Sequence, residues 1–93
     1  MCYGRHLGIL SRLTYLLLEY ANAEQCQRFG QLLIAEARKK KCYDYLAKGY
    51  IYSGLCQHDK ALVEQGLRLL EVAGEQKLWQ DMKAYVEANR SEI

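Results

Sequence analysis

Six residues in the first half of the chain recur 36 positions later as identical or similar residues. The pairs are Gly30 with Gly66, Leu33 with Leu69, Ile34 with Leu70, Ala37 with Ala73, Tyr43 with Trp79, and Leu46 with Met82. Leucines at helical spacing coincide easily, but a glycine, an alanine and an aromatic residue seldom share one register by chance. A period of this length is typical of stacked helix pairs, so it predicts a helical repeat protein.

The chain contains no proline, the residue that breaks helix interiors. Its 93 residues suit one compact domain spanning residues 1–93, and 51% of them are hydrophobic and available for a core. We therefore predict an all-α domain of about five antiparallel helices. They are expected over residues 7–21, 23–40, 43–55, 59–73 and 76–88.

Apolar residues at three- and four-residue spacing indicate which face each helix buries. The stripe of the first helix is Leu7, Leu10, Leu13, Leu17 and Tyr20, and that of the second is Phe29, Leu32, Leu33 and Ala37. Asn22 is the expected N-cap of the second helix and Gly74 the expected stop of the fourth. The tyrosine-rich third segment also has the aromatic content of a strand, but the long flanking helices favour a helix.

The charge balance excludes several classes of partner. A net charge of +2 with 26% charged residues predicts binding neither to nucleic acid nor to an acidic membrane surface. The basic run at residues 38–41 is expected to end a helix, where cations complement the helix dipole. No apolar run approaches the roughly 20 residues that span a bilayer, so no membrane insertion is predicted.

The cysteines and histidines carry no metal or cofactor signature. No pair of the four cysteines has the C-x-x-C spacing, and neither His6 nor His58 has a ligand partner at a metal-binding distance in sequence. Cysteines within helical patterns are typical of reduced, buried thiols, which predicts a cytoplasmic location, although the sequence leaves disulfides open. Arg12 and Glu19 interrupt the only stretch that resembles a secretion signal.

The middle of the chain resembles a tetratricopeptide repeat. Tyr45, Gly49 and Tyr52 match the aromatic, small and aromatic positions of the first helix of that repeat, and Ala61 matches the small residue that opens the second. The small residues are needed where the two helices cross closely. The sequence departs from the family pattern at Lys48, Cys56 and Gln65. The resemblance implies a solenoid of helix pairs in a divergent form.

Such repeats bind an extended or helical peptide on the inner face of their first helices. The matching positions predict a partner-binding stripe of Leu10, Leu17, Tyr43, Leu46, Tyr50, Ser53, Trp79, Met82 and Val86. Because this stripe is mainly apolar, the expected ligand is the apolar face of an amphipathic helix. Ordinary core packing is the alternative role for the same residues.

Among such proteins, the chain resembles the type III secretion needle-subunit chaperones. That resemblance implies a cytoplasmic chaperone that clasps an amphipathic helix of the needle subunit, with a small helical co-chaperone, and prevents premature polymerisation. A scaffold or adaptor with the same repeats, and a fragment of a peptide-pheromone receptor, are the alternatives. An enzyme is not expected, since Cys56, His58 and Asp59 at a predicted turn are the only catalytic candidates.

Overall fold

The described residues fold into five α-helices, as the sequence predicts. The computed structural model describes residues 4–20 and 22–88, with side chains from Leu7 onward, and no strand occurs among them. The helices are α1 (Gly4–Glu19), α2 (Ala23–Lys40), α3 (Tyr43–Gln57), α4 (Lys60–Val72) and α5 (Gln76–Ala88). The tyrosine-rich segment is therefore helical, and the expected end of the first helix at Ala21 lies outside the described residues.

Short polar side chains and left-handed residues set the helix ends. The Asn22 side chain accepts a hydrogen bond from the backbone N–H of Gln25 at 3.3 Å, which confirms Asn22 as the N-cap of α2. The Asp59 carboxylate caps α4 by accepting from the N–H groups of Ala61 and Leu62. Gly74 follows α4 with φ of 79°, a conformation that glycine adopts without steric cost.

Helix α3 lies at the centre of the fold and packs against all four other helices. Leu46, near its start, belongs to a core cluster with α1 and α2, whereas Ala47 and Ile51 belong to a second cluster with α4 and α5. A helix that is apolar on most sides must be surrounded, because burial of apolar surface drives folding. This explains why so few residues of α3 are exposed.

Two glycines allow α3 and α4 to approach each other closely. A Cβ added at Gly66 would lie 2.7 Å from the backbone oxygen of Ala47, and one added at Gly54 would lie 2.8 Å from that of Asp59. Ala61, which the sequence predicts at this crossing, is exposed instead. That prediction is wrong because the close contacts fall on either side of Ala61, where Gly54 meets Asp59 and Val63 and where Gly66 meets Ala47.

The apolar residues of α1 divide between two faces. Leu7 and Leu10 are buried as predicted, but Leu13 is 39% exposed and Tyr20 is 78% exposed. The buried face continues instead through Thr14, whose hydroxyl donates to the carbonyl of Leu10 at 2.7 Å. This local hydrogen bond lets a polar residue occupy the core, so the predicted single stripe is not the buried one.

Candidate functional site

The nine predicted partner-binding residues do not form one continuous surface. Five of them are buried in the fold: Leu10, Leu46, Ser53, Met82 and Val86. Leu17, Tyr50 and Trp79 are half-buried, and Tyr43 is 50% exposed. The buried members contact the chain's own core, so most of the side-chain surface that the stripe offers to a partner comes from the other four.

Ser53 has a packing role that explains its position. Its side chain is 1% exposed and lies where a Cβ at Gly30 would clash with it. Its hydroxyl has no hydrogen-bond partner among the described residues. A small residue is therefore required at this contact between α2 and α3.

One part of the predicted stripe lines a groove between α2 and α4. We call it the α2–α4 groove; it is lined by Leu46 and Tyr50 of α3 and by Gln65, Arg68, Leu69 and Val72 of α4, and Arg38 of α2 borders it through a hydrogen bond to Tyr50. The Arg38 guanidinium donates a 2.6 Å hydrogen bond to the Tyr50 hydroxyl, which places Tyr50 beside α2. Leu69 packs against core residues on both sides of α3. Helices α2 and α4 do not pack against each other over the described residues.

The groove combines apolar side chains with positive charge. Val72 is 78% exposed, and Tyr43 lies on the same face of α3 as Leu46 and Tyr50 because the three are spaced by three and four residues. Arg68 is the charged residue among its described lining residues, none of which is acidic, and Arg38 borders the groove beside Tyr50. Lys39 and Lys40 follow Arg38 in the last turn of α2, and the Lys40 ammonium lies 3.9 Å from the Glu36 carboxylate. The groove is therefore suited to an apolar ligand with negative charge at its edge.

Three tyrosines from α1, α3 and α5 meet in a separate cluster. The ring centroids of Tyr15, Tyr52 and Tyr85 are 5.7 to 6.2 Å apart, within the range of favourable aromatic contacts. Burial raises the pKa of Tyr52 to about 12. Burial and the hydrogen bond to Glu19 raise the pKa of Tyr85. Both phenols therefore keep their protons at neutral pH.

We call this cluster the tyrosine face; it lies on the other side of α3 from the α2–α4 groove. Tyr50 and Tyr52 are two residues apart, which is about 200° around an α-helix. The resemblance implied that Tyr50 lies on the face shared by the first helices of each pair, and that Tyr52 packs between helices. The structure places Tyr52 against α1 and α5, and Tyr50 beside α2 and α4. The signal that sequence reasoning missed is the recurrence of Tyr15, Tyr52 and Tyr85 at intervals of 37 and 33 residues.

Trp79 and Val86 lie apart from both surfaces. Trp79 borders a hollow with Glu71, Gln76 and Gln80, and the ammonium of Lys83 lies 4.7 Å from the centre of its ring. Val86 lines a hollow between α4 and α5. This hollow is also lined by two apolar residues and by two lysines and two glutamates whose charges cancel: Val63, Leu67, Lys60, Lys83, Glu64 and Glu87. Neither hollow shows a preference for the charge of a ligand.

The catalytic candidates at the α3–α4 turn have structural partners. His58 is an exposed left-handed residue with φ of 56°, and the Asp59 carboxylate is occupied in capping α4. The Cys56 thiol donates to the carbonyl of Ser53 at 3.2 Å. The neighbouring Cys26 thiol holds the pKa of Cys56 below its ordinary value, and the same contact raises the pKa of Cys26. Cys56 is only 9% exposed, so its access to a substrate is restricted.

The structure also decides what the sequence left open about the cysteines. Cys26 and Cys56 are free thiols, whereas Cys42 is disulfide-bonded. Among the described residues, no group of three or more histidine, cysteine or acidic side chains is placed to hold a metal ion.

No family model, characterised protein or solved structure matches this chain. Within the described part of the chain, none of the helices has both the length and the apolar character needed to cross a bilayer.

Proposed function

We propose that this chain is a protein-binding module whose α2–α4 groove holds one face of an amphipathic helix carrying acidic residues at its edge. The observation that carries this proposal is the exposed apolar surface at the groove, where Val72 is 78% exposed beside Arg68 in the lining. Tyr43, 50% exposed, extends that surface on the same face of α3 as Leu46 and Tyr50. Exposed apolar patches bordered by charge are typical of interaction sites.

A helix that covered the groove and the apolar side chains around it would be held mainly by burial of apolar surface. Burying about 400 Å² of apolar surface would contribute on the order of 10 kcal/mol before the losses of association are subtracted. The two arginines would add selectivity for acidic side chains and would speed association at low ionic strength. Binding should therefore weaken as salt is added, but should not disappear.

The arrangement of the helices supports a repeat of helix pairs. Helices α1 and α5 each pack against α3, while α2 and α4 each pack against their neighbours in the chain and not against each other. A tetratricopeptide-like solenoid has this arrangement, with the first helices of successive pairs in one layer. On this proposal, α1–α2 and α3–α4 are two pairs and α5 begins a third.

A second, more specific proposal is a cytoplasmic chaperone of a type III secretion needle subunit, acting with a small co-chaperone. It is supported by the side-by-side packing of α1, α3 and α5 and by the tyrosine face on those helices. In this version the subunit's amphipathic helix would lie on the tyrosine face. Occupying that helix would prevent filament growth by mass action. A scaffold or adaptor role would use the α2–α4 groove instead.

The two proposals are separated by charged substitutions on each surface. Partners are captured from the native cell with the unchanged chain and with Val72→Glu, Tyr15→Arg and Leu32→Glu variants. Leu32 is a matched control because it is an apolar side chain, 49% exposed, outside the groove. Binding of the captured partner's helix is then measured with a synthetic peptide by titration calorimetry.

The general proposal requires that Val72→Glu weakens peptide binding by at least about tenfold, a loss near 1.4 kcal/mol, while Leu32→Glu leaves it unchanged. Loss of binding only in Tyr15→Arg would move the site to the tyrosine face and favour the chaperone. The chaperone also requires that the unchanged chain keeps its captured subunit monomeric. Equal binding by all the variants would reject both surfaces.

A further inference from the structure

Helix α1 carries an apolar stripe that stays partly exposed in the described part of the chain. We call it the α1 stripe: Ile9, Leu13, Leu16 and Tyr20. Ile9 is 56%, Leu13 39% and Tyr20 78% exposed, and Leu16 is half-buried. Their spacing of four, three and four residues places all four within about 60° of one another around the helix. They therefore form one continuous ridge along α1.

The α1 stripe is distinct from the face that holds α1 in the fold. That face consists of Leu7, Leu10 and Thr14, which are buried against the other helices. Thr14 follows Leu13 by one residue, so their side chains diverge by about 100°. The stripe is also separate from the α2–α4 groove, to which α1 contributes no lining residue.

The stripe has the symmetry needed to pair with itself. Its spacing reads the same in both directions along the helix, so an antiparallel second copy would place Ile9 opposite Tyr20 and Leu13 opposite Leu16. Two-fold symmetric interfaces have this property, in which residue i meets j and j meets i. Apolar side chains would then face apolar side chains along the whole stripe.

The charges beside the stripe complement each other in the same arrangement. Arg12 and Glu19 are both exposed and seven residues apart, which places them on one edge of the stripe within about 20° of each other. In an antiparallel pair this edge meets the same edge of the second copy. Arg12 of one copy would then lie near Glu19 of the other, and the contact would occur twice. In a parallel two-fold pair this edge would face the opposite edge of the second copy, so Arg12 would not lie near Glu19.

We propose that the chain forms a two-fold symmetric dimer through antiparallel packing of the α1 stripes. The interface is small, because a helix of 16 residues is about 24 Å long. We therefore expect a reversible, concentration-dependent dimer with a dissociation constant on the order of 10 µM. The proposal does not depend on the proposed function, since the two use different surfaces.

Sedimentation velocity over a wide range of protein concentrations tests the dimer. The unchanged chain should shift from monomer to dimer, and Leu13→Glu should weaken dimerisation by at least about tenfold. Val72→Glu is the control, because it introduces the same charge on an exposed apolar position outside the stripe and should leave dimerisation unchanged. Circular dichroism of each variant checks that the helices remain folded.

A charge exchange tests the antiparallel geometry. Arg12→Glu and Glu19→Arg should each weaken the dimer by a few-fold, and the variant with both changes should restore it, because both contacts are re-formed with opposite sign. Tyr85→Phe, which removes the hydrogen bond to Glu19 within the chain, should not affect dimerisation. A chain that stays monomeric at every concentration would overturn the proposal, and would leave the stripe to another partner. Persistence of the dimer in Leu13→Glu, or failure of the double exchange to restore it, would also overturn it.

Discussion

The hydroxyl of Tyr85 donates a 3.0 Å hydrogen bond to the carboxylate of Glu19, linking α5 to α1 across 66 positions of sequence. The backbones of these two helices do not pack against each other in the described part of the chain. The contact is made by side chains over the tyrosine face, where Tyr15 lies 5.7 Å from the Tyr85 ring. It therefore adds a side-chain link between α5 and α1 to the packing of α5 on α3 and α4.

Removing either partner of this bond should destabilise the fold to a similar extent. We expect Tyr85→Phe and Glu19→Ala each to lower the free energy of unfolding by about 1 kcal/mol. The double variant should lose little more than either single variant, because both changes break the same bond. Urea unfolding followed by circular dichroism measures all three. Tyr43→Phe is the control, since Tyr43 is 50% exposed, and additive effects of the two changes would show that the bond contributes nothing.

The buried phenol of Tyr52 should make stability fall at alkaline pH. Its pKa is raised to about 12 in the folded chain, against about 10 in an unfolded one. Between these values the folded chain keeps a proton that the unfolded chain loses. Stability is therefore fully present below about pH 10 and declines toward pH 12, with a slope of up to about 1.4 kcal/mol per pH unit for this group.

Urea titrations at increasing pH, made with Tyr52→Phe beside the unchanged chain, measure that slope. The variant lacks the ionisable hydroxyl, so its stability should decline less steeply above pH 10, while Tyr43→Phe should follow the unchanged chain. Identical slopes for Tyr52→Phe and the unchanged chain would contradict burial of this phenol.

Alanine substitutions of helical glycines should change the stability of the fold in opposite directions, with a loss at Gly54 and Gly66 and a gain at Gly8. At Gly54 and Gly66 the new methyl group would contact backbone atoms at less than 3 Å, so α3 and α4 must separate, and we expect a loss of about 1–3 kcal/mol. At Gly8 the nearest atom is the Tyr45 hydroxyl at 3.6 Å, an ordinary contact. Gly8→Ala should therefore stabilise α1 by about 0.5–1 kcal/mol. Thermal and urea unfolding measure the stability of each variant. An unchanged stability of Gly66→Ala would show that α3 and α4 do not approach each other closely at Gly66.

The rate of alkylation should distinguish the buried free thiols of Cys26 and Cys56 from the disulfide-bonded Cys42. In the folded chain iodoacetamide should react slowly with Cys26 and Cys56, because their side chains are 0% and 9% exposed. In urea without reductant both should react, whereas Cys42 should react only after its disulfide is reduced. Peptide mass spectrometry identifies each site, and Cys56→Ala confirms its assignment. Rapid labelling of Cys56 in the folded chain would instead support a reactive thiol.

Part of the candidate site was accessible from the sequence. Tyr43, Leu46 and Tyr50 were predicted to share a face of α3, and helical spacing alone places them there. Their neighbours across the α2–α4 groove were not predictable, because Arg38 and Val72 come from other helices whose crossing angles depend on tertiary packing. The α1 stripe was missed for a related reason: its leucines alternate around α1 with the buried ones, so spacing alone does not separate two apolar faces.

The sequence by itself determined the five helices and most of their ends, because the hydrogen bonds that start and stop a helix join residues within a few positions of each other. Asn22, Asp59 and Gly74 are examples. Only the tertiary structure decided which of several apolar sides is buried in α1 and which neighbour each side of α3 meets. Helices α1 and α3 are apolar on several sides, and the close approaches at Gly54 and Gly66 select one arrangement. That selection buries Thr14 and leaves Leu13 exposed, since packing depends on the shape of the neighbouring helix as well as on hydrophobicity.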